Sequence, residues 1–128
     1  MKGRQYFFIL ALVAFVFGSA AQSWAKPEVF TITIKDHMFE PAELLVPTDT
    51  KIKLVIKNED STPEEFESYD LNREKIVTGN GTIVVFIGPL KPGEYKYFGE
   101  FHEDTAQGVI VAVENFEEQM QSTQEDKE

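Results

Sequence analysis

Two stretches of the sequence alternate apolar and polar side chains with a period of two. In FTITIKD the apolar residues Phe30, Ile32 and Ile34 alternate with polar ones, and KIKLVIKN, which begins at Lys51, repeats the pattern. Such alternation indicates strands with one face in a core and one in water. Further short apolar runs are separated by turn-forming residues, and short helical turns are allowed around residues 73–77 and, in the tail, around residues 116–120. About seven short strands predict an all-β sandwich.

The first 25 residues have the composition of a secretory signal peptide. Lys2 and Arg4 form a basic start, Phe7 to Phe17 is an apolar run, and Ser23-Trp24-Ala25 offers small residues for cleavage. The apolar run is short for a bilayer-spanning helix. We therefore expect residues 1–25 to be a signal peptide and the protein to be periplasmic. Retention of the segment as an uncleaved anchor is the alternative.

The chain is acidic and contains no cysteine. Its formal net charge is −10, and loss of residues 1–25 would remove two positive charges to give −12. A surface of this sign repels phosphate backbones, so no nucleic-acid partner is expected, whereas cations are attracted. Disulfides and thiolate metal ligands are excluded. We expect one domain over residues 26–114, followed by an acidic tail over residues 115–128 with too few apolar residues to pack much.

The only two histidines, His37 and His102, both stand beside carboxylates. His37 follows Asp36 at the end of the first predicted strand, and His102 lies between Glu100 and Glu103. A loop histidine is often an ordinary solvated residue. The two would form part of a site if their loops converge at one end of the sandwich.

The segment EEFES is a third source of ligands. If it is extended, Glu65 and Glu67 project from one face while Phe66 points into the core. The alternative is a solvated acidic edge strand whose charges discourage pairing with other molecules. Close carboxylates repel one another, and either a metal ion or a basic side chain such as Arg73 or Lys75 could offset that repulsion.

Imidazole and carboxylate donors together suit Fe(II), Fe(III), Mn(II), Cu(II) or Zn(II). A blue-copper centre requires a cysteine thiolate and is excluded. No nucleophile elbow, phosphate-binding glycine loop or zinc-protease helix motif is present. The donors therefore indicate metal binding rather than hydrolysis.

The stretch YKYFGEFHEDTAQG resembles the metal-binding loop of small copper proteins, with Gly99 where the cysteine would stand and Ala106 near the place of the methionine. More broadly, the chain resembles cupredoxin-like periplasmic proteins of bacterial iron-uptake systems, which accompany Ftr-type, oxidase-dependent iron permeases. It is also similar to the N-terminal cupredoxin domain of elemental-type iron importers. The resemblance runs from Phe30 to Val113 through FTITIKDHMFEPAELLVP, KNEDSTPEEFESYDLNREKIV and GPLKPGEYKYFGEFHEDTAQGVIVAV.

This resemblance implies a Greek-key, cupredoxin-like β-sandwich with altered metal ligands. The implied metal ligands are five side chains: His37, Glu65, Glu67, Glu100 and His102. Weaker candidates are Glu64, which lies nearer the place of the usual first copper histidine, and also Glu103 and Asp36. The implied metal is iron, as Fe(II) or Fe(III), with copper as Cu(II) a further option.

The function implied is that of a periplasmic protein that binds iron and supports its oxidation or its delivery to an inner-membrane iron permease. Other periplasmic components of the uptake system would be further partners. A ferroxidase role is an open option, but we expect binding rather than catalysis. The oligomeric state is open, a homodimer being one possibility. The alternative from another class is a metal-free sandwich that docks its acidic face on a basic protein.

Overall fold

The computed structural model describes residues 26–127. The predicted signal peptide, residues 1–25, lies outside the described residues. The described chain forms two β-sheets packed face to face, with one helix at the carboxyl end. Within residues 26–127, no helix is both long and apolar enough to cross a membrane.

Nine strands make up the two sheets. In chain order they are β1 (Glu28–Lys35), β2 (Met38–Glu40), β3 (Glu43–Pro47), β4 (Ile52–Asn58), β5 (Glu64–Ser68), β6 (Arg73–Val77), β7 (Thr82–Ile87), β8 (Gly93–Gly99) and β9 (Gln107–Val113). The first sheet has the order β2-β1-β4-β7, and the second has the order β3-β9-β8-β5-β6. A short 3₁₀ turn (Glu100–His102), named here the 100–102 turn, follows β8, and helix α1 (Phe116–Glu125) ends the chain.

The predicted β-sandwich is confirmed, with nine strands rather than about seven. The alternating residues of β1 and β4 face the core as expected, and Ile32, Ile34 and Leu54 are fully buried. The helical turn allowed around residues 73–77 is wrong, because this segment is strand β6 and pairs antiparallel with β5. Strand β6 lacks an apolar alternation because only Val77 among its residues is buried.

Three aromatic side chains fill the core near the candidate loops. Phe66 from β5 lies 5.2 Å from Tyr97 of β8 between ring centroids, and Phe39 of β2 packs against both. Gly108 of β9 leaves room for Tyr97, since a Cβ there would lie 2.3 Å from the tyrosine ring. This packing ties the two sheets together directly beneath β5.

The carboxyl-terminal segment is more ordered than the sequence indicated. Residues 116–125 form helix α1, and Phe116 packs edge-to-face on Phe30 of β1 with 5.8 Å between ring centroids. The sequence predicted that residues 115–128 would pack little, and it did not indicate this contact between Phe116 and Phe30. An aromatic pair of this geometry, here partly buried, adds a contribution to stability beyond the area that it buries.

Two basic side chains of β6 close the side of the sandwich. Arg73 Nε donates a hydrogen bond to the carbonyl oxygen of Phe86 (2.9 Å), and Lys75 Nζ donates one to that of Val84 (3.3 Å). Both acceptors belong to β7, the edge strand of the other sheet. Alternation along β6 places Arg73 and Lys75 on the same side as buried Val77, and Glu74 on the opposite side.

Replacement of Phe66 tests the role of this core. Phe66→Ala should lower the free energy of unfolding by about 3–5 kcal/mol, because it removes a fully buried aromatic ring and leaves a cavity. Urea unfolding followed by fluorescence would measure the change. Phe86→Ala is the matched control, since Phe86 is about half exposed, and its loss should be clearly smaller. Equal losses would contradict the assignment of the core.

Candidate metal centre

His37 is placed by a tight two-residue turn between β1 and β2. Asp36 and His37 both have positive φ angles, 52° and 58°, as the turn of a short hairpin requires. The carboxylate of Asp60 accepts hydrogen bonds from the backbone N–H groups of Asp36 (2.8 Å) and His37 (2.9 Å). Burial alone would raise the pKa of Asp60, but these two hydrogen bonds and the nearby imidazoles hold it below its usual value.

His102 is held from inside the sandwich by Glu64. Its Nδ1 lies 2.6 Å from Oε2 of Glu64, whose side chain is almost completely buried. An ionised carboxylate oxygen only accepts hydrogen bonds, so Nδ1 of His102 carries the proton and the Nε2 lone pair is left for another partner. Metal-binding histidines usually have such a carboxylate behind the ring.

The structure brings the two histidines together. Their rings are nearly parallel, at 10°, with centroids 3.6 Å apart. The Nδ1 atom of His37 lies 3.4 Å from Oδ2 of Asp60, so each ring of this imidazole pair has its own carboxylate. His37, His102 and Glu100 line one open cleft of about 490 Å³.

A second group of donors lies on the outer face of the sheet formed by β5 and β6. Phe66 is buried, and its neighbours Glu65 and Glu67 point the other way, as predicted. Glu67 lies directly opposite Glu74 of β6, and Glu100 enters from the turn that follows β8. One carboxylate oxygen from each of these four glutamates lies within 4.8 Å of the others. We call these four side chains the carboxylate quartet.

The carboxylates of the quartet raise the pKa of two of its members, Glu65 and Glu67. The side chain of Glu65 is only 7% exposed. A hydrogen bond to Glu74, burial, and the charges of Glu100 and Glu74 raise the pKa of Glu65 from 4.5 to about 7. A hydrogen bond to Glu100, burial and the same neighbouring charges raise the pKa of Glu67 as well. In the absence of a cation, protons retained by these glutamates therefore reduce the charge repulsion within the quartet.

Basic side chains do not neutralise the quartet. Arg73 and Lys75, the two that the sequence offered for this purpose, point to the opposite side of β6 and bond to carbonyls of β7. Within the described residues 26–127, the salt bridges are those of His37 with Asp60 and of His102 with Glu64. Only a proton or a metal ion is therefore left to offset the repulsion among the four glutamates.

The five ligands predicted from the sequence thus fall into two adjacent groups. Glu65, Glu67 and Glu100 belong to the quartet, while His37 and His102 form the imidazole pair. Glu100 links the groups, because it is two residues before His102 in the same turn. Glu74 was not predicted as a ligand, although recognition of residues 73–77 as a strand beside EEFES would have indicated it.

The weaker candidates occupy different places. Glu64 lies beneath the sheet as the partner of His102, and Glu103 lines the cleft beside the imidazole pair. Asp36 takes part through its backbone N–H to Asp60. Each therefore lies at the same end of the sandwich but outside the quartet.

The surroundings of Gly99 leave no room for a cysteine side chain at residue 99. A Cβ at residue 99 would lie 2.6 Å from Cδ of Glu64 and 2.6 Å from Cβ of Ala106. The Glu64 carboxylate therefore occupies the space that a cysteine side chain would need. The lack of a cysteine ligand at residue 99 therefore depends on the packing of Glu64 and Ala106 as well as on the glycine itself.

The raised pKa of Glu65 predicts a pH dependence of stability. The folded state holds the Glu65 proton more tightly than the unfolded chain does, so this contribution to stability is present at low pH and falls as pH rises from 4.5 to about 7. Glu65→Gln removes it. The free energy of unfolding of the wild type, relative to Glu65→Gln, should therefore fall across this interval in urea unfolding experiments. Glu94→Gln, at the other end of β8, should track the wild type. A constant difference between wild type and Glu65→Gln would contradict the prediction.

Known proteins with similar sequences and structures agree with this architecture. The cupredoxin-like domain family matches residues 7–112. An uncharacterized protein of Rickettsia prowazekii (strain Madrid E) is 48% identical over 104 residues, which cover 80% of this chain and 83% of that protein.

Two solved structures share the fold at low sequence identity. Auracyanin A, a "blue" copper protein of Chloroflexus aurantiacus, is similar with a TM-score of 0.60 and 17% identity over 69% of this chain and all of that one. The metal-binding domain of the Cu(I)-exporting P-type ATPase of Streptococcus pneumoniae gives 0.59 and 10%, over 66% of this chain and 84% of that one. The nine-stranded sandwich and the family match together establish that this chain belongs to the cupredoxin-like domain family.

Proposed function

We propose that this protein is a periplasmic metal-binding protein that captures iron at the carboxylate quartet. The observation that carries the proposal is Glu65, a carboxylate that is more than nine-tenths buried and faces other carboxylates instead of a basic partner. Burial of an ionised group without a counter-charge is costly. A bound cation would replace the shared protons and remove that cost.

The donor spacing is compatible with a hard cation, and the choice of iron depends on donor chemistry. Metal–oxygen bonds of about 2.1 Å place ligands on opposite sides of an octahedral ion about 4.2 Å apart. The quartet oxygens lie within 4.8 Å of one another, so a small closing movement would bring them to this spacing. Carboxylate oxygens are hard donors, and among iron ions they favour Fe(III) over Fe(II).

This preference connects binding with oxidation. A site that binds Fe(III) more tightly than Fe(II) lowers the reduction potential of the bound iron, so loss of an electron to an external acceptor becomes easier. Delivery to an inner-membrane iron permease is the partner step that the family resemblance of the sequence suggests, and the signal-like residues 1–25 support a periplasmic location. The negative surface would attract iron cations to the site.

An iron titration tests the proposal. The purified protein, titrated with Fe(III) citrate in a calorimeter, should bind about one equivalent of iron, and Glu67→Gln should weaken binding at least about tenfold because it removes a charged donor. Glu94→Gln, an equal change in charge away from the quartet, should bind as the wild type does. Citrate alone supplies the blank.

Parallel titrations with Mn(II) and Ca(II) decide the identity of the cation. Tighter binding of Ca(II) than of Fe(III) would contradict iron as the cargo. Absence of any binding would contradict the metal site and favour the acidic docking function, whose partner affinity should fall steeply with salt.

The imidazole pair supports copper as a second ion. Cu(II) prefers nitrogen donors more strongly than Fe(III) does, and its binding by both imidazoles would require the stacked rings to turn until their free nitrogens converge. Copper bound there could supply one-electron chemistry beside the quartet.

Replacement of His37 separates the two ions. His37→Asn keeps a residue that tolerates the positive φ of the turn but removes one imidazole. Cu(II) affinity should fall at least about tenfold, since a ligand is lost, while Fe(III) affinity should stay at the wild-type value. Loss of both affinities would show that the two groups of donors form one site.

A further inference from the structure

We propose that Glu64 is a positioning residue of the metal centre, which holds the 100–102 turn so that Glu100 reaches the carboxylate quartet. This inference rests on the proposed function of the quartet. It assigns to Glu64 a role without contact to the metal. Glu64 and Glu65 are neighbours in sequence, but strand alternation sends the first below the sheet and the second above it.

Glu64 contacts the residues on both sides of Glu100 in the sequence. Oε1 of Glu64 accepts from the backbone N–H of Phe101 (2.9 Å), and Oε2 bonds to the ring of His102 (2.6 Å). On the other side of Glu100, Gly99 lies against the same carboxylate, where even a Cβ would be 2.8 Å from Oε1. The backbone on both sides of Glu100 is therefore fixed by one buried side chain.

The other contacts of the turn lie at its ends: the N–H of Gly99 donates to the carbonyl of Ala106, the carbonyl of His102 accepts from Thr105 and Ala106, and the His102 ring stacks on His37. The 3₁₀ turn is three residues long, none of its residues is buried, and no side chain caps its start. Short 3₁₀ segments have poorer hydrogen-bond geometry than α-helices. Glu64, which is 1% exposed, supplies the hydrogen-bond acceptor for the backbone N–H of Phe101 in this exposed turn.

Glu64 itself is not suited to bind the ion. Its Oε1 already accepts two backbone N–H groups, those of Glu65 (3.0 Å) and Phe101, and its Oε2 is engaged by His102. It lies on the core side of β5, whereas the quartet lies on the outer side. A residue that orients a ligand from behind typically changes metal affinity 10- to 100-fold when it is lost.

Two substitutions separate positioning from ligation. In Glu64→Gln the amide oxygen can still accept both backbone N–H groups, and the amide N–H can donate to Nδ1 of His102 in its other tautomer. Glu64→Leu has similar size but no acceptor. Positioning predicts that Fe(III) affinity survives in Glu64→Gln and falls about 10- to 100-fold in Glu64→Leu.

A double substitution makes the test specific to Glu100. If Glu64 acts through Glu100, then Glu64→Leu should change the affinity of a Glu100→Gln protein by no more than about twofold, because the ligand that it positions is already gone. General loosening of the fold would lower affinity equally in both backgrounds. Equal effects, or a wild-type affinity in Glu64→Leu, would overturn the inference. Loss of affinity in Glu64→Gln as large as in Glu67→Gln would also overturn it and make Glu64 a ligand.

Measurements without metal keep the inference testable on its own. Exchange of the Phe101 amide hydrogen should be slow in the wild type and in Glu64→Gln, and fast in Glu64→Leu. Similar exchange in all three proteins would contradict the positioning role. Failure of the wild type to bind iron would instead overturn the proposed function, and with it the role of Glu64 in that function.

If Glu64→Leu does not fold in urea unfolding controls, Gly99→Ala is the second variant. Its Cβ displaces the same carboxylate from the opposite side, and it should lower Fe(III) affinity in the same Glu100-dependent way. An unchanged affinity in Gly99→Ala would count against the inference.

Discussion

The two-residue period of strand β5 determines how the candidate metal centre of this protein is built. Because side chains alternate across the strand, EEFES sends Glu64, Phe66 and Ser68 inward and leaves Glu65 and Glu67 on the outer face. Phe66 fixes this register by its burial among core aromatics, and a slip of one residue would place charged groups in the core. The inner glutamate, Glu64, binds the 100–102 turn, while the outer glutamates lie beside Glu74 of β6 and Glu100 of the 100–102 turn.

Much of this arrangement could be predicted from the sequence. The alternation in FTITIKD, KIKLVIKN and EEFES gave the correct faces, because burial imposes a clear pattern on those strands. The contribution of Glu74 could not be predicted, since β6 is exposed along most of its length and carries no such pattern. The pairing of Glu64 with His102 depends on contacts between residues 38 positions apart, for which local patterns hold no information. The helix at 116–125 depends on one aromatic contact with β1.

The solved structures named above include copper-binding proteins, and this chain shares their fold but contains no cysteine. Gly99 and Glu64 depend on each other, because a side chain at residue 99 would collide with the carboxylate. Replacement of sulfur by oxygen and nitrogen donors moves the preference of a site from soft to harder ions. The proposal of iron as cargo depends on this shift in donor chemistry rather than on the fold, which accommodates many kinds of site.

Alternate side chains of strand β6 have two unrelated roles. Arg73 and Lys75 cover carbonyl acceptors of the β7 edge, which would otherwise offer a template for strands of other molecules. Glu74, on the opposite face of the same strand, completes the quartet. Resistance to aggregation and the charge of the site are therefore encoded in separate positions of one five-residue segment. Evolution or engineering can adjust one of these properties without trading it against the other.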